Sequence, residues 1–550
     1  MLELENAIYQ LMLELASIPS VSESAQEESG IARFIRDRLR AEPYFRDHPD
    51  DLRLLPCEHD PLGRSCLFAM VRAEKPTART VLLTGHLDVV DAEAYGPLRE
   101  LAFDPEALTA RIGELDLSPE ARSDLESGDW LFGRGVADMR YGLALEIVYL
   151  LNAARNRAAL PSNVALLLVP DEEANSRGMI DAVPHLRRMQ DAGEARFLAC
   201  INTEPTVGSE AEAGPTIYTG SIGKVNLFFF CLGRETHLGE YYQGLSAAPI
   251  ASRINLTLDG NPEYSDRLDG SIYPPYGCLR QHDLREEYSA SVMTKAAAFY
   301  SHLTVGKLPK EILTEIRAVA RQALQETVDQ HAAFAERFAA SRGRPHTAPR
   351  RQPQVFSFAE LRRYAEERTG TDVSAAAERL AGEAPAQLDL RDAAIRLVEQ
   401  LVDSSGLRGP LAVVGFLPPF YPHRLGSAVP AHQQQLNEIL RAAALESESG
   451  FARPVVFRAV FEGVSDLSYC GFKEGAAALA PLADNLPGWG QNYIIPLEDL
   501  SALDIPVANI GPVGRDAHKA SERLYLPYAL RELPSLLHRA VRSIGEKMEL

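Results

Sequence analysis

The chain has 550 residues, 46% of them hydrophobic and 24% charged, with a formal net charge of −20. That length exceeds a single hydrophobic core and predicts two or three domains. The acidic balance argues against a nucleic-acid or anionic-membrane binder, which needs a basic face. Six cysteines (Cys57, Cys66, Cys200, Cys231, Cys278 and Cys470) show no regular spacing and no C-x-x-C pair, so neither a disulfide scaffold nor a zinc–thiolate site is expected.

In chain order, "MLELENAIYQLMLEL" predicts an amphipathic helix with Leu4, Ile8, Leu11 and Leu15 on one side, not a signal peptide. No apolar run is long enough to span a membrane, and a cytoplasmic location is the expectation. Apolar strand-like runs follow near 80–85 ("TVLLTG"), 163–170 ("NVALLLVP") and 196–202 ("RFLACIN"), with a helical segment from Gly142 between them. Unbroken apolar strands alternating with helices predict an α/β domain with a mainly parallel sheet covered on both faces. Near 215 the pattern changes. "GKVNLFFFCLGRET" (223–236) is a longer, aromatic-rich strand, and "SAAPIASRINLTL" after it can form a helix. Residues 308–405 are strongly helical, with Ile312, Leu313, Ile316, Val319, Ala320, Ala323 and Leu324 on a buried stripe. The polar stretch 341–354 is expected to be an exposed loop. Strand character returns at 410–423, 455–461 and 504–511. The expected organisation is therefore a mixed, mainly parallel α/β domain (1–215 and 423–550), interrupted by a smaller α+β domain (216–422) whose helical elaboration is 308–405.

The strand ends carry the chemistry. "VLLTG" is followed by His86 and Asp88, and "NVALLLVP" by Asp171, Glu172 and Glu173. "RFLACIN" is followed by Glu204, and "VANIGPVGRDA" by His518. In open α/β sheets, ligands bind outside the carboxyl ends of strands. Asp138, in the glycine-containing segment "DWLFGRGVADMRYG", precedes the next helix. Singly, each has an ordinary explanation: a polar loop, a solvated face, a turn before proline, a helix cap. Jointly, His86, Asp138, Glu173, Glu204 and His518 are a five-donor set that suits two divalent cations sharing one carboxylate. Two histidines and several carboxylates without thiolates suit zinc, cobalt or manganese. Glu172 is then a spare carboxylate beside a ligand, placed to move a proton. A nucleotide-binding reading fails, because Gly133-x-Gly135 lacks the third glycine and there is no P-loop lysine motif.

The segments "GHLDVV", "GRGVADMRYG", "PDEEANSRG", "NTEP" and "GPVGRDAHKASE" resemble, in order and spacing, the aminoacylase/carboxypeptidase/succinyl-diaminopimelate desuccinylase family of dinuclear zinc peptidases. "LASIPSVS" and "EGVSDLSY" are similar to family segments too. "GCLRQHDLREEYSASVMTKAAAFYSHLTVGK", "FLPPFYP" and "NLPGWGQNY" resemble the arginine-utilisation RocB group within it. The resemblance implies His86 and Glu204 on one metal, Glu173 and His518 on the other, and Asp138 between them. It implies that Asp88 orients His86, that Glu172 is general base and then acid, and that the Asp138–Met139 bond is cis. His237 would complete an oxyanion site from the smaller domain, which also implies a homodimer. Arg140 stands where the family has lysine. The family's arginine for a substrate carboxylate has only weak counterparts, Lys307 or Arg280. The implied function is hydrolysis of an amide bond in a small metabolite, an N-acyl amino acid or small peptide of amino-acid catabolism. The competing reading is a weakly catalytic metal-binding protein that acts through its helical insertion as a regulator or scaffold.

Overall fold

The computed structural model describes residues 2–549 except 59, 207–213, 286, 344–351, 371, 384–388, 425–428, 448–450 and 492. The chain divides into two compact units. The first comprises Met1–Ile222, Tyr421–Lys473 and Glu498–Leu550, and the second Gly223–Phe420 and Glu474–Leu497. The division differs from the sequence expectation in one substantial place. Residues 474–497 were assigned to the catalytic part, yet they belong to the second unit, where the Asn485 side chain accepts from the backbone N–H of Ala359.

The first unit is built on a mixed eight-stranded sheet. Its strands are β1 (Leu52–Pro56), β2 (Ser65–Val71), β3 (Arg79–His86), β4 (Asn163–Val169), β5 (Arg196–Asn202), β6 (Thr216–Tyr218), β7 (Val456–Arg458) and β8 (Val507–Ile510), in the spatial order β1-β2-β4-β3-β5-β8-β6-β7. The central four, β4-β3-β5-β8, run parallel, with His86 opposite Val169, Thr84 opposite Asn202 and Asn202 opposite Asn509. β2 and β6 flank them antiparallel. The apolar runs that looked buried on both faces are so: Val81–Leu83, Val164–Val169 and Leu198–Ile201 are fully buried. Helix Leu2–Ala16 packs its Ile8, Leu11 and Leu15 into the same core as helix Tyr141–Arg155 and the C-terminal helix Leu533–Lys547. The 455–461 run forms only the three-residue edge strand β7, with Phe457 part-buried and Arg458 exposed.

The second unit holds a five-stranded sheet in the order Gly277–Asp283, Lys295–Thr304, Gly223–Leu232, Leu411–Tyr421 and Gln354–Ser357. Helix Pro309–Ser341 buries Ile312, Ile316, Val319, Ala320, Ala323 and Leu324 as the periodicity requires, whereas Leu313, expected on the same stripe, is only part-buried. The region 308–405, expected to be strongly helical, also contains strand Gln354–Ser357, parallel to Leu411–Val414. The 341–354 stretch expected as an exposed loop falls mostly outside the described residues. The six cysteines are free, and all but Cys278 are buried.

Candidate metal centre

Parallel pairing of β3, β4, β5 and β8 brings their carboxyl ends to one edge of the sheet, so residues far apart in sequence meet there. Proline follows closely on β4 (Pro170), β5 (Pro205) and β8 (Pro512), positions that cannot donate to a ladder. Gly511 allows the closest approach. A Cβ there would lie 1.7 Å from the carbonyl oxygen of Glu204, a carbonyl that accepts from the Asn509 side chain at 2.9 Å.

His86 is buried at the end of β3. Its Nε2 lies 3.0 Å from Asp138 Oδ1 and 3.5 Å from Glu204 Oε1. Its Nδ1 faces the backbone carbonyl of Asp88 at 3.0 Å, whereas the Asp88 carboxylate is farther, at 3.6 Å. A proton on Nδ1 donated to that carbonyl leaves Nε2 as the free donor to a cation. The Asp88 carboxylate also accepts from Ser22 Oγ at 2.7 Å and from the backbone N–H groups of Glu172 and Glu173 at 3.1 Å each. It therefore fixes the turn after β4.

Across the site, His518 Nε2 lies 2.9 Å from Glu173 Oε2 and 3.5 Å from Asp138 Oδ2. Asp138 thus has one oxygen toward each histidine. It sits where the backbone departs from helical geometry, and the Asp138–Met139 peptide bond is cis. Behind it, Arg134 donates to Glu522 at 2.6 Å and to the backbone carbonyl of His518 at 3.2 Å. Glu522 also accepts from the Asp138 N–H at 3.4 Å. Arg140 donates to the Leu87 carbonyl at 2.7 Å, buttressing the β3 end.

The electrostatics follow from acids crowded around two imidazoles. The carboxylates of Asp138 and Glu173 hold the His518 proton and push its pKa up to about 11. Burial pushes Glu204 up to about 8, with the Asp138 charge adding to it. Burial raises Glu172 well above the usual carboxylate range; His86 pulls it down, while Glu204, Asp466 and Glu173 push it up. Divalent cations would relieve the same crowding. Donor atoms of His86, Asp138 and Glu173 lie within 4.8 Å of one another, as do those of His86, Glu172 and Glu204. Imidazole nitrogens and carboxylate oxygens without thiolate fit a borderline divalent ion.

A model of the family described as peptidase family M20/M25/M40 matches residues 82–418. The chain belongs to this family. Among relatives of this M20 chain, the Bacillus subtilis (strain 168) protein YqjN is 35% identical, covering 99% of this chain and 97% of its own. RocB of the same organism is 29% identical, covering 96% and 93%. The M20 family metallo-carboxypeptidase Sso-CP2 from Sulfolobus solfataricus shares the fold, with a TM-score of 0.53 at 10% identity over 98% of this chain and 99% of that one. The protein is thus an M20 peptidase or amidohydrolase with the mixed α/β fold the sequence implied. Among the described residues, no helix is long and apolar enough to cross a membrane.

The structure brings together His86, Asp88, Asp138, Glu172, Glu173, Glu204 and His518. His237 belongs to the second unit, where it is exposed and its Nδ1 accepts from the Gly239 N–H at 3.1 Å. Lys307 and Arg280, the weak candidates for a substrate carboxylate, are ion-paired within the second unit to Glu315 (3.0 Å) and Asp392 (2.8 Å). Sequence reasoning missed the residues that hold the site: Ser22, Arg64, Arg134, Tyr421, Asp466 and Glu522. Tyr421 donates to the Glu172 carbonyl at 3.0 Å, and the Ser176 hydroxyl lies 2.7 Å from Tyr421 Oη and 3.0 Å from Asp466 Oδ1. "FLPPFYP" and "EGVSDLSY" were the signals available for Tyr421 and Asp466.

Proposed function

We propose that the protein is a two-metal hydrolase cleaving an amide bond of a small metabolite, an N-acyl amino acid or small peptide, in arginine or other amino-acid catabolism. The observation that carries this reading is the Asp138 carboxylate set between His86 and His518, with the buried Glu172 beside the Glu173 donor. His86 and Glu204 would hold one ion, Glu173 and His518 the other, and Asp138 both. Zinc is the metal of choice for these donors. When bound, the ions supply Lewis acidity to the scissile carbonyl and acidify water.

The chain's own groups do the rest. Glu172, whose buried carboxyl has a raised affinity for protons, takes one from the attacking water and returns it to the leaving amine nitrogen. Asp88 holds the two N–H groups of the Glu172–Glu173 segment and so aims both carboxylates. His237 is assigned to the carbonyl oxygen, where a hydrogen bond would stabilise developing negative charge. A homodimer through the second unit and a cytoplasmic location belong to the same reading. The edge strand Gly277–Asp283 with its exposed Leu279 supports the dimer, which sedimentation would test.

The decisive experiment is a hydrolysis screen of zinc-, cobalt- and manganese-loaded protein on N-acyl amino acids and dipeptides. Turnover that disappears with a chelator and in His86→Ala is expected. No turnover of any substrate by metal-replete protein would overturn the catalytic reading in favour of a metal-binding scaffold.

A further inference from the structure

Directly behind the Glu172–Glu173 segment lies a buried ion network outside the ligand set. Arg64, in the connection between β1 and β2, is 4% exposed and touches three elements at once. Its Nε and Nη2 donate to the two oxygens of Asp60, both at 2.9 Å. Its Nη1 donates to Glu28 Oε1 on helix Ala25–Arg40 at 2.7 Å and to Asp171 Oδ1 at 2.9 Å. Glu28 closes the circuit, because its Oε2 accepts the backbone N–H of Asp171 at 2.9 Å.

Asp171 is the residue on which the turn is built. Its φ is +73°, a left-handed conformation that costs a residue with a Cβ unless its surroundings hold it. Its Oδ2 accepts from the Arg177 N–H at 3.1 Å, and its carbonyl accepts from the N–H groups of Asn175 (3.1 Å) and Ser176 (2.6 Å). The turn is thus gripped at Asp171 by Arg64 and Glu28, and one residue later by Asp88. The two grips fix where Glu172 and Glu173 point.

We propose that Arg64 is a positioning residue of the metal centre, acting through Asp171 to aim the Glu172 and Glu173 carboxylates. The inference rests on the roles proposed above for those two glutamates. Only a guanidinium can meet this geometry. Its planar fork engages Asp60 with two donors while a third reaches Glu28 and Asp171, and a lysine ammonium has neither the plane nor the span. The three acids come from helix Ala25–Arg40, from Arg64's own strand connection and from the turn itself, so Arg64 ties the turn both to that connection and to the helix.

The test uses the full chain with Arg64→Lys, which keeps the charge and removes the fork. Zinc is titrated calorimetrically into metal-depleted protein, and kcat and KM are measured on the loaded enzyme. The expected result is a variant that folds, with one of the two zinc-binding events weakened roughly 10–100-fold and the other unchanged. kcat should fall by a similar factor while KM holds within about twofold, the mark of a misplaced reacting group rather than lost binding. Two results overturn the proposal. One is unchanged zinc binding and kcat. The other is equal weakening of both zinc events with a lowered Tm, which is general loosening. If Arg64→Lys does not fold, Asp60→Asn, which removes one side of the fork, must show the same one-site pattern at roughly tenfold or less, and two unchanged zinc events there overturn it. If wild type turns over no amide, the functional reading fails while the zinc arm still decides the role of Arg64.

Discussion

Asp171 and Glu173 are two residues apart, yet they belong to acidic clusters of opposite kinds. Around Asp171, three carboxylates share a cation supplied by the chain, the Arg64 guanidinium, and every bond is made within the protein. Around Glu173, carboxylates from three strand ends and the Asp138 segment face two imidazoles whose proton affinity they raise. The first arrangement is closed and rigid. The second is matched only when positive charge arrives from outside, as a proton or as a metal ion. Fixed charge braces a turn, whereas exchangeable charge makes a reactive centre.

Breaking the exchangeable cluster should have the largest effect. Glu172→Gln is expected to lower kcat by roughly 10²–10⁴-fold with both metals retained, since it would remove the proposed proton carrier and none of the proposed donors. Metal content by elemental analysis alongside kcat checks this, and loss of metal would show Glu172 to be a ligand. Breaking the fixed cluster with Arg64→Met leaves buried acids without their cation. It should cost about 3–5 kcal/mol of stability in urea denaturation, more than any single ligand substitution in metal-free protein.

Asp88→Asn tests the boundary between the clusters. An amide can accept from one of the Glu172 and Glu173 N–H groups but presents its own N–H to the other. Turnover should fall roughly 10–100-fold while the ion assigned to His86 and Glu204 stays bound. His86→Ala, in contrast, should lose that ion outright, and equal metal loss in the two variants would show that Asp88 itself binds metal.

A last prediction concerns Glu28 and is read as a slope in pH. Burial, reinforced by the charge of Asp88, raises its carboxyl to about 9, while Arg64 pulls it down. A carboxyl raised on folding contributes stability below its unfolded pKa and loses it as pH rises through the folded value. Wild type should therefore lose stability between about pH 4.5 and 9, by up to about 1.4 kcal/mol per pH unit from this group. Glu28→Gln should flatten that slope in denaturation series across this range. An unchanged slope would mean that Arg64 already holds Glu28 ionised.

The candidate ligands were legible because the signal is local. An unbroken apolar run ending in histidine or carboxylate marks a strand end, and four such signals, with Asp138 in its glycine-containing segment, agree on one site. The braces were not legible. Arg64 meets Glu28 and Asp171 across 36 and 107 residues, and nothing near it in sequence separates it from a solvated arginine in a loop. The same holds for Glu474–Leu497, whose short helix carries no mark of the unit it joins.

By itself, then, the sequence determined the α/β class, the strand ends, the candidate donors at them and the resemblance to M20 peptidases, because hydrophobic periodicity and residue chemistry are read over a few neighbours. Tertiary structure alone decided the strand order β2-β4-β3-β5-β8 that gathers those ends on one edge. It also decided that the Asp88 carboxylate grips the Glu172–Glu173 backbone more closely than the His86 ring. And it decided that a buried guanidinium stands behind the turn, since a charge can leave water only where the fold brings its partners to meet it.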